Sequence, residues 1–497
     1  MSDLITRLRT LRYEAAYLNA TLVDDLKPFF GPEKPMFRRL PDSDERRRNV
    51  TTTCSCLMSL ATCGKLIEGF KAIKNLNSDA EAKGFITDVF ENAVNSPWMS
   101  SGLEDLNAFS SFIVFRTAGI LSRSNEVPLT KNPLEMGHSD YVWEDGQPRE
   151  VGLRKPLKRI FKDKIKHAPN SFRVGVYEPT PAIAYWFTDA ASRLTLQISD
   201  RIYKLMARWA SREFGRQVSL VAAGHDAMKD PVAMAAAACL CWRLRSLTVG
   251  RPTERDTLMS IFPTEIEIKQ AVLAGFKSQQ HSGIWPKYFP LFNYGMGEAG
   301  SNYFFSFELL EVILSEFEKS DLLEDTVVLD GMEKAISWCK SNRLVYKAGD
   351  VTYKGWNSGG QITTLKEGKP ESWTTAVIHM FLHKLQQALS WQIKQHILIK
   401  YDAASPEIIN PDSSEWDDFI DSPIFLPDEE TSVKKLITEE ILDQIKKPGK
   451  VIQVEESISG RRSTLLFGPP GTAKTSLVRA LANRIGWPLV ELVDCNS

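Results

Sequence analysis

The residues whose types and spacing can do chemistry cluster in one stretch, STLLFGPPGTAKTSLVRALANRIGWPLVELVDCNS, and its centre is GPPGTAKT from Gly468 to Thr475. Glycines followed by a Lys-Thr pair at this spacing suit the capture of a phosphate chain. Backbone N–H groups from Gly471 to Thr475 can curl around β- and γ-phosphates, and the N-terminus of a following helix adds its positive dipole. Lys474 supplies a cation, and the Thr475 hydroxyl can complete the shell of a Mg2+ ion. Ser476, on the next helical position, can reach the α-phosphate. One position departs from the G-x-x-x-x-G-K-[ST] pattern: counting from Gly468, the second glycine falls on Ala473. A methyl group is accommodated there only where the backbone is not left-handed.

The flanks supply the context that phosphate binding needs. STLLFG is a short apolar run suited to a buried parallel strand. SLVRALANRIG places Leu477, Leu481 and Ile485 on one helix face with Gly486 as its C-cap, and WPLVELV is a second strand. With these flanks GPPGTAKT is similar to the Walker A loop of AAA+ ATPases, some branches of which carry Ala or Ser at the position of Ala473. LLFGPPGTAKT followed by a helix and GWPLVEL resembles the start of an AAA domain of bacterial type. The resemblance implies ATP and Mg2+ as cofactors. It places Gly468, Pro469, Pro470, Gly471, Thr472, Ala473, Lys474, Thr475 and Ser476 around the nucleotide. Lys474 would stabilise the charge of the transferring phosphoryl group, and Thr475 would hold the metal. It also implies a ring of subunits that performs work on a protein partner. In that family the Asp-Glu pair, the sensor residue, the arginine finger and the helical lid all follow the second strand, downstream of the residues present here. The expectation is a truncated AAA unit that binds nucleotide weakly and hydrolyses little as this chain alone. TVVLDG around Asp330 superficially resembles an Asp-ending strand, but it runs on into MEKAISWCK and reads as the start of a helix.

The chain ahead of the loop has to position whatever this unit acts on, and it reads as helical and repetitive. Apolar helices are expected in VTTTCSCLMSLATC from Val50, DLNAFSSFIVFRTAGIL from Asp105 and TPAIAYWFTDAASRL from Thr180. Three more are expected in DPVAMAAAACLCWRL from Asp230, GSNYFFSFELLEVIL from Gly300 and ESWTTAVIHMFLHKL from Glu371. Amphipathic helices lie between them. DAEAKGFITDVFENAV sets Phe85, Val89, Phe90 and Ala93 at helical spacing, and TEIEIKQAVLAGF and DTVVLDGMEKAISWCK take the corresponding place later. Loops with Trp precede some apolar helices: NSPWMSSG, SGIWPKYFP and YKGWNSGG. A helix pair recurring roughly every 70 residues marks a repeat architecture. Six helices that are apolar nearly all round, covered by amphipathic ones, would make an α/α toroid. The alternation with Trp-bearing loops resembles the toroids of terpenoid cyclases and protein prenyltransferases. The D-x-D-D motif of the cyclases is absent and no zinc set is evident, so their chemistry is not carried over. A generic helical bundle or solenoid is the competing reading.

The fold expected is therefore mostly α, an α/α toroid or helical-repeat domain over 1–395, followed by a truncated α/β P-loop NTPase unit over 433–497. The acidic stretch ASPEIINPDSSEWDDFIDSPIFLPDEETS, which has no Lys or Arg, reads as a connector over 396–432. Composition excludes several classes. At 497 residues the chain is 43% hydrophobic and 25% charged with a net charge of -1, so no global basic field points to nucleic acid or to an acidic membrane. No apolar run is long enough to span a bilayer, and MSDLITRLRTLRYEAAYLNA lacks the apolar core of a targeting peptide. Seven cysteines without C-x-x-C spacing read as small buried hydrophobes in a reducing cytoplasm.

Weaker candidates complete the reading. LRKPLKRIFKDKIKH carries Arg154, Lys155, Lys158, Arg159, Lys162, Lys164 and Lys166, and its apolar residues recur at helical spacing, so a solvated helix face is expected. His379 and His383 stand at i, i+4, a spacing two metal-binding imidazoles can share, but no third ligand is evident. His225 and Asp226 in GHDAMKD lack a nearby nucleophile. KYFPLFNYGMGEAGSNYFF would line the centre of a toroid with aromatics. The functional expectation is an AAA+ type ATP-binding protein with a helical recognition or regulatory domain and a protein partner. Two alternatives stand beside it: a non-catalytic helical binding module with a vestigial P-loop, and an enzyme whose site lies in the toroid cavity.

Overall fold

The computed structural model of the chain describes residues 2–31, 35–41, 50–94, 108–123, 181–193, 200–223, 231–248, 258–279, 281–285, 304–359 and 362–400, with short pieces at 423–425, 430–432, 435–436, 476–478 and 480. These residues are mostly helical. The chain divides into two compact units, one of residues 10–389 and one of residues 1–9 with 390–497.

The larger unit takes in the second half of α1 (Ser2–Asn19), followed by α2 (Leu22–Leu26). Each apolar segment of the sequence then forms a helix: α3 (Val50–Thr62), α6 (Ala108–Arg123), α7 (Pro181–Arg193), α9 (Pro231–Thr248), α11 (Phe304–Phe317) and α14 (Ser372–Lys400). They are buried as their composition requires, for example without a break from Ile113 to Leu121 and from Met234 to Cys241. Between them run α4 (Leu66–Lys74), α5 (Asp79–Val94), α8 (Asp200–Ala222), α10 (Glu265–Lys277) and α12 (Thr326–Ser341), with the short α13 (Ile362–Lys366). Local chemistry fixes the starts of two of them. Thr264 and Glu267 form a reciprocal capping box at α10, and the Asp325 carboxylate accepts from Val327 N at 2.8 Å at α12. Asp330 lies inside α12, so TVVLDG is helical, as its continuation predicts.

The buried helices touch in chain order. Thr117 Oγ1 of α6 donates to Cys54 O of α3 at 3.4 Å. Arg116 of α6 reaches Asp189 of α7, and Arg243 of α9 reaches Asp189 and Glu316 of α11. The Phe307 ring of α11 packs against Phe381 of α14 with centroids 5.4 Å apart. The Cys63 thiol just after α3 donates to His379 O of α14 at 3.8 Å.

Two Trp loops join outer to buried helices by the same device. Trp285 Nε1 donates to Gly275 O near the end of α10, while its backbone N–H donates to Ser306 Oγ at the start of α11. Trp356 Nε1 donates to Cys339 O near the end of α12, while its backbone N–H donates to Thr375 Oγ1 at the start of α14. Each indole thus satisfies a helix C-terminal carbonyl and fixes the entry of the next helix. One element was not expected from the sequence, the antiparallel hairpin β1 (Leu344–Ala348) and β2 (Val351–Gly355), with Tyr346 opposite Tyr353. Its signal is present in the alternation of LVYKAGDVTYKG around a Gly-Asp turn. Helix α14 runs on to Lys400, and β3 (Pro423–Phe425) pairs with β4 (Glu430–Ser432) inside the acidic stretch read as connector.

Gly283 in the first Trp loop has φ +87°, and a Cβ there would collide with the Lys334 carbonyl. Gly349 in the hairpin turn has φ +58° but open space around it. Gly283→Ala is therefore expected to cost more than about 2 kcal/mol, whereas Gly349→Ala costs about 1 kcal/mol. Urea unfolding of the two variants measures the difference.

Candidate functional site

Four buried helices of the larger unit bring ionisable side chains together. Arg116 of α6 is 5% exposed, Glu311 of α11 4% and Asp189 of α7 2%. Arg116 Nη2 donates to both carboxylate oxygens of Glu311, at 3.0 and 2.9 Å, and its Nε lies 3.5 Å from Asp189 Oδ2. Asp189 also accepts from Arg193 Nε at 2.9 Å and from Arg243 Nη2 at 2.8 Å. Arg243 Nη1 stands 3.3 Å from Glu316 Oε1, which accepts from the Tyr185 hydroxyl at 2.5 Å.

The electrostatics follow from this arrangement. Burial alone would raise the Asp189 carboxyl, but Arg193, Arg116 and Arg243 overrule it and hold it down to about 2. Burial would lower the Arg116 guanidinium, but Glu311 and Asp189 raise it. Burial and the neighbouring carboxylates Glu316 and Asp189 push the Tyr185 phenol well up.

Glu308 stands apart in this group. It lies one turn before Glu311 on α11, and its buried Oε2 has no hydrogen-bond partner. Burial pushes its carboxyl well above the usual range, with the Arg116 charge opposing and Glu311 reinforcing the shift. Glu308 and Trp186 line two small adjoining cavities. In one they are joined by Arg116, Glu311, Met58 and Met380, and in the other by Val232, Ala236, Leu309 and Val312. No sequence motif points to this cluster, because its members come from separate helices. The available signal is a charged residue inside an otherwise apolar helix, as in FIVFRTAGIL and FELLEVILSEF.

The phosphate-binding residues named from the sequence, Gly468 to Thr475, lie outside the described residues. Ser476 is described: it is exposed and helical, with Leu477, Val478 and the buried Ala480 also helical. The rest of the helix expected to follow the loop lies outside the described residues.

The His379 and His383 pair is not a metal site. His379 is fully buried, with Nδ1 3.0 Å from Asn19 Oδ1 and Nε2 3.2 Å from Asp25 Oδ2. Both ring nitrogens are engaged, which leaves no lone pair to share with His383. Asp25 accepts in turn from Arg343 Nη2 at 2.7 Å on each oxygen. Burial and Lys384 lower His383 to about 4. Among the described residues no group of three or more His, Cys, Asp or Glu could hold a metal ion, and no helix is long and apolar enough to cross a membrane. Cys54, Cys56, Cys63, Cys239 and Cys241 are buried free thiols, and burial pushes Cys54, Cys63 and Cys241 up to about 12. The basic run at 154–166, His225 and Asp226, and all of the aromatic stretch except Phe304 and Phe305 lie outside the described residues. Those two phenylalanines open α11.

Comparison with known proteins bears on the loop. Residues 464–495 match the family model described as ATPase family associated with various cellular activities (AAA). The match contains Gly468 to Ser476. No curated protein matches the chain.

The ionised and neutral members of the buried cluster respond oppositely to pH. Asp189, depressed, stabilises the fold above its unfolded value of 3.8, and this contribution is lost as pH falls towards about 2. Glu308, raised, does the reverse: the folded state holds a proton that the unfolded chain releases above 4.5, so stability declines as pH rises. Glu308→Gln is therefore expected to raise the melting temperature more at pH 8 than at pH 5, by on the order of 2 °C. Thermal scans of both proteins at the two pH values measure it.

Proposed function

We propose that the chain is an ATP-binding protein of the AAA type. Residues 468–476 hold the nucleotide with Mg2+, and the helical unit serves recognition or regulation. The observation that carries this reading is the match to the AAA family over residues 464–495, which contains the sequence GPPGTAKT; the described residues Ser476–Val478, just after it, are helical. In this reading the backbone N–H groups after Gly471 bind the β- and γ-phosphates. Lys474 neutralises them and stabilises phosphoryl charge during hydrolysis, and Thr475 holds the metal through its hydroxyl. Ala473 takes the place of a glycine, which this reading accommodates only with a backbone that is not left-handed. Assembly into a ring and work on a protein partner belong to the same reading.

For the helical unit we infer a closed, toroid-like ring of the six buried helices. The contacts that run in chain order from α3 to α14 and return through Cys63 support it. The repeated Trp anchors support the helix-pair repeat. The second reading, a site at the centre of that ring, is favoured by the ionisable cluster around Arg116 and Glu308.

A fluorescent ATP analogue titrated into the full chain tests the loop. Lys474→Ala is expected to weaken binding at least about tenfold, and Thr475→Ala to remove the gain in affinity produced by Mg2+. Equal binding by the parent chain and Lys474→Ala would overturn the assignment.

A further inference from the structure

The outer helix α8 carries a row of cations along one side. Lys204, Arg208, Arg212 and Arg216 follow one another at four-residue intervals, so their side chains form one row about 18 Å long on the helix surface. Arg208, Arg212 and Arg216 are exposed and Lys204 is half-buried. Arg216 Nε donates to Glu213 Oε2 of the same helix at 2.9 Å. Arg208 and Arg212 have no ion pair or hydrogen bond among the described residues. Like charges one turn apart repel, so the row costs helix stability. The same face carries a second cost. Gly215 lies inside the helix and is exposed, and a Cβ there would meet nothing within 4 Å. Packing within the chain therefore does not ask for glycine, which is a poor helix former. Ser219 and Ala222, one and two turns further on, are also exposed and small.

The chemistry of this face narrows its occupant. Tyr203, Trp209 and Phe214 of α8 are buried, so the helix offers no ring for stacking on unpaired bases. No large apolar side chain described on α8 is exposed. The face therefore lacks the anchor that holds a protein partner at the centre of an interface and the apolar surface with which a helix enters a lipid layer. It presents guanidinium groups in one row, with small residues that let a body approach the helix closely. Guanidinium groups match phosphate oxygens in geometry and charge. With a net charge of -1 on the whole chain, this is a local field and not a global one. We propose that this face of α8 docks on the phosphodiester backbone of a nucleic acid duplex without reading its sequence. Arg208 and Arg212 pair with phosphates, Lys204 and Arg216 extend the contact, and Gly215 and Ser219 let the strand lie close to the helix. The contact uses none of residues 468–476 and does not rest on the reading of that loop.

The test is fluorescence anisotropy of the full chain with a labelled DNA duplex of about 20 base pairs, and with an RNA duplex of the same length, at several salt concentrations. The expected result is sequence-independent binding whose log affinity falls with log salt at a slope of about -3. The duplex that binds more tightly is the source of the phosphates. The double variant Arg208→Gln, Arg212→Gln is expected to bind at least about tenfold more weakly at about 50 mM salt and to lower the slope by about 2. Glutamine is a good helix former and removes the repulsion along the row, so the variant keeps its fold. Lys347→Gln with Lys354→Gln removes the same charge from exposed positions of the hairpin and is expected to leave affinity within about twofold. Absence of duplex binding, an unchanged slope in the α8 variant, an equal loss in the hairpin variant, or competition by polyglutamate as strong as that by unlabelled duplex would each overturn the proposal.

Discussion

The fork between Arg116 and Glu311 is the constraint on which much of the helical unit depends. A guanidinium and a carboxylate that are each about 5% exposed have left water almost entirely, and either would be expensive to bury alone. Their pairing fixes α6 against α11. Asp189 extends the network to α7, and Arg243 extends it to α9. Hydrophobic burial drives these helices together without specifying how they are rotated. Charge pairs with defined geometry do specify it, because a helix turned by one residue would strand a charge in an apolar interior. The two Trp anchors act in the other direction, along the chain, by tying the end of α10 to the start of α11 and the end of α12 to the start of α14.

Much of the helical framework is legible in the sequence, and the reasons are local. Helices such as α9 and α11 are apolar on nearly every face, and α9 opens on Pro231 directly after Asp230, so composition and start signals locate them. The start of α12 is readable because TVVLDG leads into a continuing helical pattern. The β1–β2 hairpin is harder to see, because two five-residue alternations are a weak signal beside the long helical repeats on either side. The charged cluster cannot be assembled from the sequence. Arg116, Asp189, Arg243 and Glu311 are far apart along the chain, each on a separate helix. His379 shows the opposite failure: i, i+4 spacing suggests a ligand pair, whereas packing turns its ring into a fully bonded partner of Asn19 and Asp25.

The proposed phosphate-binding loop and the buried cluster illustrate two kinds of signal. A loop that binds phosphate with its own backbone is written in consecutive residues, so GPPGTAKT is readable from the amino-acid string alone. A site made by converging helices has no such string. Its mark is energetic: Glu308 is a carboxyl whose place in the fold weakens the fold at neutral pH, within a network whose other carboxylates are paired with arginines. Residues that cost stability without serving packing are where function is to be sought.

A double-mutant cycle on Arg116 and Glu311 addresses the role of the charge network most directly. Arg116→Met, Glu311→Met and the double variant are compared by equilibrium unfolding of the full chain. If the pair fixes the helices as described, each single change costs about 3–5 kcal/mol because it leaves a charge buried without its partner. The double change then costs less than the sum of the two by at least about 2 kcal/mol. Single changes costing under about 1 kcal/mol, adding without coupling, would contradict it.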